Sequence, residues 1–118
     1  KWNEKYASYL GVKPDTDAHG VLQDVHWYTG NFGYFPTYLL GSAYAAQILN
    51  AARKAIPAMD DHTAKGEFAP LRQWLNENIH QHGKRYTAGE LMQQATGERP
   101  HPEHYLKYLN EKFGCFVK

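Results

Sequence analysis

The residues best suited to chemistry stand close together in one stretch of the sequence. Residues 20–27 carry an amide, a carboxylate, an imidazole and an indole within five positions: Gln23, Asp24, His26 and Trp27. An imidazole can gain or lose a proton near neutral pH, and an amide or carboxylate can orient it or bind a polar substrate group. We therefore predict that this stretch is one wall of a functional site.

The backbone of this stretch decides whether Asp24 and His26 can act together. Val21, Leu22 and Val25 fit one helix face, so we predict a short helix over residues 18–27. The two valines are β-branched, so a β-strand remains the alternative. Side chains two positions apart on a helix point about 200° away from each other. We therefore do not expect an Asp–His dyad. His26 is then either a hydrogen-bonded structural residue or a donor to a substrate.

An aromatic run follows, and two of its phenols could take part in catalysis. Tyr34 and Tyr38 come eight and twelve residues after His26. A phenol can stabilise an oxyanion by donating its O–H, but a tyrosine in such a run can equally be a packing residue with a solvated tip. Gln23 and Asp24, flanked by apolar residues, are expected to be buried with arginine or helix-end partners.

The remaining sequence predicts an all-α fold. Glycines, prolines and helix-period apolar residues mark the helix ends, and Thr87 with Glu90 has the spacing of a capping box. The long helix that begins at Pro36 is apolar around most of its circumference, which is typical of a helix buried inside a larger protein. The predicted helices cover residues 1–10, 36–56, 60–65, 70–82, 87–97 and 102–113.

Composition narrows the class of protein. The chain has 118 residues, a formal net charge of +1 and one cysteine. The sequence has no block of basic residues that would indicate nucleic-acid binding. No apolar run approaches the roughly 20 residues of a membrane span. We expect a cytoplasmic protein. The chain opens without Met on an established helical pattern, so we expect residues 1–118 to be a single segment of a longer protein.

The histidines do not indicate a metal site formed by this chain alone. His80 and His82 have the wrong helical spacing for chelation, and His-Glu-x-x-His is absent from the sequence. His101 and His104 have an allowed spacing, but we interpret them as a helix cap and an exposed surface residue.

Residues 20–27 resemble a known motif, Gly-x-x-Gln-Asp-x-His-Trp, of the thermostable zinc carboxypeptidase Taq family, and match it at every fixed position. The blocks at residues 33–38, 44–47, 66–75 and 96–98 are also similar to the C-terminal region of that family. The resemblance extends over essentially the whole chain. It concerns only the C-terminal segment of the proteins in that family.

The resemblance implies helical metallopeptidases that remove single residues from the C-terminus of peptides, usually as cytoplasmic homodimers. The chain would be a helical bundle segment of a larger fold like those of neurolysin and angiotensin-converting enzyme. The full-length enzyme would carry zinc on His-Glu-x-x-His and a downstream Glu, none of which matches this sequence. We therefore expect this segment alone to bind no zinc and to be inactive.

By the same resemblance, His26 would hydrogen-bond the substrate or the tetrahedral oxyanion. Tyr38, or Tyr34 as second choice, would supply a phenol to the same charge. Gln23 and Asp24 would hold this substrate-binding wall, and Trp27 would pack behind it. Two alternatives stay open: a non-catalytic helical interaction domain that keeps these residues for structure, and self-association of the chain over its long helix.

Overall fold

Six α-helices joined by short turns make up the fold, seen here in a computed structural model that describes residues 1–116. No β-strand is present in that range, so the all-α prediction is confirmed. The helices are α1 (Trp2–Leu10), α2 (Pro36–Ala55), α3 (Met59–Ala64), α4 (Ala69–Asn78), α5 (Ala88–Thr96) and α6 (Glu103–Phe113).

The chain divides into two compact units, Lys1–Thr37 and Tyr38–Lys118. In the first unit, α1 ends at Gly11, whose φ of 69° is the left-handed conformation predicted for a helix stop. Trp2 stacks on Tyr6 with ring centroids 4.5 Å apart, and Gly20 is buried beside Trp2. A Cβ at Gly20 would lie 3.1 Å from side-chain atoms of both Trp2 and Pro14, so any larger residue would push these side chains apart.

The predicted helix over residues 18–27 is wrong. Two single turns of 3-10 helix, Asp17–His19 and Val21–Gln23, replace it, and Asp24 is extended with φ −81° and ψ 109°. Thr16 caps the first turn through its hydroxyl, which accepts from the backbone N–H of His19 at 3.3 Å. Side-chain and backbone polar groups here bond locally instead of joining a helical ladder.

The second unit is organised on α2, and its four buried residues among those described are Gln47, Ala52, Met59 and Met92. The predicted capping box of α5 is confirmed, with Glu90 N–H donating to Thr87 Oγ1 at 3.4 Å and Thr87 N–H donating to the Glu90 carboxylate at 2.9 Å. The predicted helix over 70–82 ends earlier, at Asn78, and a 3-10 turn at His80–His82 follows.

The N-terminal half of α2 is exposed in this chain. Tyr38, Leu39 and Leu40 keep between 51% and 62% of their accessible surface. No helix within residues 1–116 combines the length and apolar character needed to cross a membrane.

Candidate functional site

Asp24 and His26 form a tight pair in the first unit. Asp24 Oδ1 accepts from the backbone N–H of His26 at 3.0 Å and lies 2.5 Å from His26 Nδ1. The expectation that no Asp–His dyad forms is wrong, because it assumed a helix. An extended Asp24 instead makes a local turn in which its carboxylate faces both the backbone and the ring two residues later.

The pair is partly withdrawn from solvent, with 16% of the His26 side chain and 31% of the Asp24 side chain exposed. Hydrogen bonds from the backbone N–H of His26, and next from its ring, lower the pKa of Asp24 below the ordinary value, while burial opposes them. An ionised Asp24 accepts a hydrogen bond from Nδ1–H of His26. In the neutral ring Nε2 is then an acceptor, and in the imidazolium form Nε2–H becomes a donor.

Two aromatic rings contact the imidazole of His26. The Tyr34 ring stacks on it at a centroid distance of 5.5 Å and an interplanar angle of 23°. The Phe35 ring meets it edge-on at 5.3 Å and 81°. Asn31 N–H also donates to the carbonyl of His26 at 2.8 Å. The carboxylate of Asp24 and the rings of Tyr34 and Phe35 therefore orient the imidazole. Tyr34 lies next to His26, as the predicted site requires.

Gln23 and Trp27 flank the pair differently from what the sequence suggested. Gln23 is exposed within this chain, where its amide donates to the carbonyl of Ala18, so the expected burial is not seen. An arginine or helix-end partner for Gln23 stays a prediction. Trp27 is 53% exposed, and its ring centroid lies 6.0 Å from that of Phe32. Its exposure reflects the contacts available within this chain.

An open depression of about 670 Å³ lies beside the pair within the first unit. Gln23, Asp24 and Trp27 line it together with aromatic side chains that include Trp2 and Phe35. A concave surface with an apolar wall and a few polar groups is the usual form of a site that binds organic ligands. Three of the predicted substrate-binding residues therefore border one cavity.

Tyr38 lies in the second unit, in the first turn of α2, and is 55% exposed. Its carbonyl accepts from the hydroxyl of Ser42 at 3.0 Å. Its association with His26 in one site stays a prediction.

Sequence reasoning missed a second carboxylate–imidazole cluster, which lies in the second unit. Glu98 Oε2 is 3.1 Å from His101 Nε2, and Glu98 Oε1 is 2.6 Å from His104 Nε2. Hydrogen bonds from the two histidines lower the pKa of Glu98, with burial opposing them. His104 is not a surface residue as predicted, since only 15% of its side chain is exposed. The spacing Glu-x-x-His-x-x-His was the available signal.

The residues of this chain do not fit the zinc site of the resembled family. His-Glu-x-x-His is absent from the sequence, and the residue after His101 is Pro102, where that motif has its catalytic Glu. Within residues 1–116, Glu98, His101 and His104 are the one group of three potential ligands. We derive no catalytic step through a zinc ion here.

The all-α fold and the motif around His26 agree with the resemblance to helical metallopeptidases, and comparison with known proteins gives the family. The profile of the carboxypeptidase Taq (M32) metallopeptidase family matches residues 1–113. The chain belongs to the carboxypeptidase Taq (M32) metallopeptidase family.

Individual relatives agree in sequence and in structure. The chain is 47% identical over 112 residues to Carboxypeptidase 1 of Bacillus subtilis (strain 168), covering 95% of this chain and 22% of that protein. It is 44% identical over 114 residues to Thermostable carboxypeptidase 1 of Thermus thermophilus, covering 97% of this chain and 22% of that protein. Metallocarboxypeptidase 1 of Trypanosoma cruzi superposes with a TM-score of 0.91 at 46% identity, over 96% of this chain and 24% of that one.

The chain thus spans about a fifth of the length of the curated relatives that it matches, 22% in each of these two. The resemblance predicted from residues 20–27 and the later blocks is confirmed at the level of the family. The larger neurolysin-like fold stays a prediction.

Proposed function

We propose that this chain is the C-terminal segment of a zinc metallocarboxypeptidase that releases single C-terminal residues from peptides. Within that enzyme the chain supplies contacts to the substrate and to the tetrahedral oxyanion. The observation that carries the proposal is the Asp24–His26 pair, a half-buried imidazole oriented by a carboxylate at 2.5 Å within the Gln-Asp-x-His-Trp motif. Family membership supports the reaction class.

His26 is the proposed oxyanion donor. With the Asp24 carboxylate accepting a hydrogen bond from Nδ1–H, the ring can donate from Nε2 only in its imidazolium form. Asp24 is therefore a positioning residue that acts through His26. A preorganised donor of this kind lowers the barrier because it stabilises charge that develops only in the transition state.

Tyr38, with Tyr34 as second choice, is the proposed phenol that donates to the same charge. Tyr34 stacks on the imidazole in the first unit and so has a contact that ties it to His26. Gln23 and Trp27 border the depression beside the pair and would contact the peptide or hold its wall. The zinc ion of the full-length enzyme would polarise the scissile carbonyl and activate water when bound.

Exposed apolar side chains support the proposal that further protein covers this segment. In the first unit, Tyr28 and Phe32 are 65% and 73% exposed, and in α2 Leu39 is 62% exposed. Large exposed apolar groups in such numbers mark a contact surface. Because the chain spans 22% of its relatives' length, we propose the remainder of a longer chain as the occupant.

The first experiment is a peptide-release assay on this chain with added zinc and on the full-length protein that carries it. We expect turnover only from the full-length protein, which should also contain a His-Glu-x-x-His upstream. Turnover by the chain alone that a chelator abolishes would contradict the proposed division of the site. A full-length protein without that motif and without turnover would favour a non-catalytic helical interaction domain instead.

The proposal includes a cytoplasmic homodimer, as expected for the family. Sedimentation equilibrium of the full-length protein and cell fractionation test these two points. A monomer at all concentrations, or recovery outside the cytoplasm, would remove them without affecting the assignment of His26. A dimer formed by this chain alone would instead indicate self-association over the exposed half of α2.

A further inference from the structure

The cluster in the second unit has the composition and geometry of a small metal site. The carboxylate of Glu98, in the loop after α5, meets the imidazole of His101 and that of His104 in the first turn of α6. Their ligand atoms all lie within 4.8 Å of one another, and the ring centroids of the two histidines are 4.8 Å apart. Two of the pairwise distances, 3.1 and 2.6 Å, are measured to the same carboxylate.

The loop that carries the cluster is fixed to α2 by a buried amide. Gln47 is 1% exposed, and its Nε2 lies 3.2 Å from the carbonyl oxygen of Glu98 and 3.3 Å from that of Arg99. The same amide donates to the hydroxyl of Thr96 at 2.9 Å, while its oxygen accepts from the backbone N–H of His101 at 3.4 Å. A ligand set held by such contacts is preorganised, so binding an ion costs little ordering.

A second residue of α2 orients His104. The side-chain amide of Asn50 lies 3.1 Å from His104 Nδ1. A 180° rotation of the side-chain amide exchanges its oxygen and nitrogen. In that orientation the oxygen of Asn50 accepts a hydrogen bond from Nδ1–H of His104. That tautomer leaves Nε2, the nitrogen that faces Glu98, as a metal ligand. Metal-binding histidines commonly have such an outer partner on the other ring nitrogen.

We propose that Glu98, His101 and His104 bind a divalent transition-metal ion of the zinc class, with water at the fourth position. Two imidazoles and one carboxylate are ligands that zinc prefers. Ligand atoms in a tetrahedral zinc site are roughly 3.3 Å apart. The three ligand atoms here lie within 4.8 Å of one another, so side-chain rotation has to close the most distant pair by up to about 1.5 Å. Side-chain exposures of 43% for Glu98 and 35% for His101 leave room for the water. The ion would join the α5–α6 loop to the first turn of α6.

The experiment titrates Zn²⁺, and Co²⁺ as a spectroscopic probe, into the full-length protein that carries this chain and into its variants. We expect the parent to bind one equivalent more than the double variant His101→Asn, His104→Asn. A metal ion bound elsewhere in the full-length protein is present in both the parent and the double variant. It therefore does not affect the difference in stoichiometry between them. The Co²⁺ absorption of that equivalent should also disappear. Asn50→Ala should weaken its binding about 10- to 100-fold, as is usual for an outer partner.

His62→Ala is the matched control. His62 also pairs with a carboxylate, with Nδ1 2.7 Å from Glu67 Oε2, but has no third ligand among the described residues. It should leave the stoichiometry unchanged. Equal stoichiometry in the parent and the double variant would overturn the proposal and leave a hydrogen-bonded cluster. If the double variant fails to fold, Glu98→Gln, which keeps one acceptor oxygen but is a poor ligand, makes the same comparison.

Discussion

The Asp24–His26 pair and the cluster of Glu98, His101 and His104 are built in opposite ways. Asp24 and His26 are two residues apart, and a single local turn brings them to 2.5 Å. The second cluster, Glu98 with His101 and His104, is also close in sequence. Its orientation depends on Gln47 and Asn50, which are 51 to 54 residues from the cluster residues that they contact. The first can form wherever its turn forms, whereas the second requires the tertiary packing of α2.

The difference also separates their expected chemistry. The first cluster pairs one imidazole with a carboxylate beside aromatic rings and an open depression, which suits contact with an organic substrate. The second directs two imidazoles at one carboxylate on an anchored loop, which suits an ion.

Removing the imidazole of the first cluster should have the largest effect. In the full-length enzyme, His26→Ala should lower kcat about 10²- to 10³-fold, the usual loss for one oxyanion donor. Asp24→Asn should lower it less and shift the pH profile, because Asp24 acts through His26. His62→Ala is the control and should leave peptidase turnover unchanged. Steady-state kinetics on a C-terminal peptide substrate measure all three.

A kcat within twofold of the parent for His26→Ala would contradict the assignment. His26 would then be a structural residue of the turn, and the comparison with the second cluster would lose its catalytic side.

Removing the anchor of the second cluster should destabilise the fold. Gln47→Leu keeps the volume but removes the amide donor from the carbonyl of Arg99 and leaves the carbonyl of Glu98 with the Thr96 hydroxyl at 3.2 Å. The expected cost is about 1–3 kcal/mol in the free energy of unfolding. Urea denaturation measures it. Gln73→Leu, at an exposed site where the amide donates to Glu77 at 2.9 Å, should change stability by less than about 0.5 kcal/mol. Equal effects of the two variants would show that burial of Gln47 is unimportant.

Filling the close contact beside the first cluster should cost somewhat less. Gly20→Ala places a Cβ 3.1 Å from Trp2 and Pro14, and the required shift of these side chains should destabilise the first unit by about 1–2 kcal/mol. Gly89→Ala is the matched control, because nothing lies within 4 Å of its Cβ position and it lies in the first turn of α5. There alanine should be neutral or slightly stabilising. Thermal unfolding of both variants gives the comparison.

The acid titration of Asp24 should show the smallest effect. Its pKa in the folded chain lies below the ordinary value of 3.8, so its contribution to stability is present above that value and is lost as the pH falls through the lowered pKa. His26→Ala should restore only part of the shift, because the backbone N–H, the largest cause, remains. NMR titration of the Asp24 carboxyl carbon measures this. Full restoration would assign the shift to the ring alone.

Much of the helical pattern was predictable because helix ends depend on local chemistry. Gly11 and Gly97 occupy left-handed positions at the ends of α1 and α5, and Thr87 with Glu90 forms the expected box. The motif at residues 20–27 likewise indicated the family before any coordinates, and the family match confirms it. Each of these signals is carried by residues within a few positions of one another.

The failures arose where neighbours outside the local pattern decided the outcome. Residues 18–27 have helix-like periodicity, but Gly20 packs under Trp2 and Asp24 turns its carboxylate to the backbone, and both prevent a regular helix. This in turn created the Asp24–His26 pair that helical geometry excludes. His104 was predicted to lie on the surface, whereas Asn50 and Glu98 contact its two ring nitrogens in the fold.

The sequence by itself therefore determined the helix ends, the all-α class, the family and the residues to consider at the candidate site. Only the tertiary structure decided which imidazoles meet which carboxylates. The physical reason is the range of the interactions: caps and turns satisfy backbone groups within a few residues, while the orientation of a side chain such as His104 depends on packing against a helix about fifty residues away.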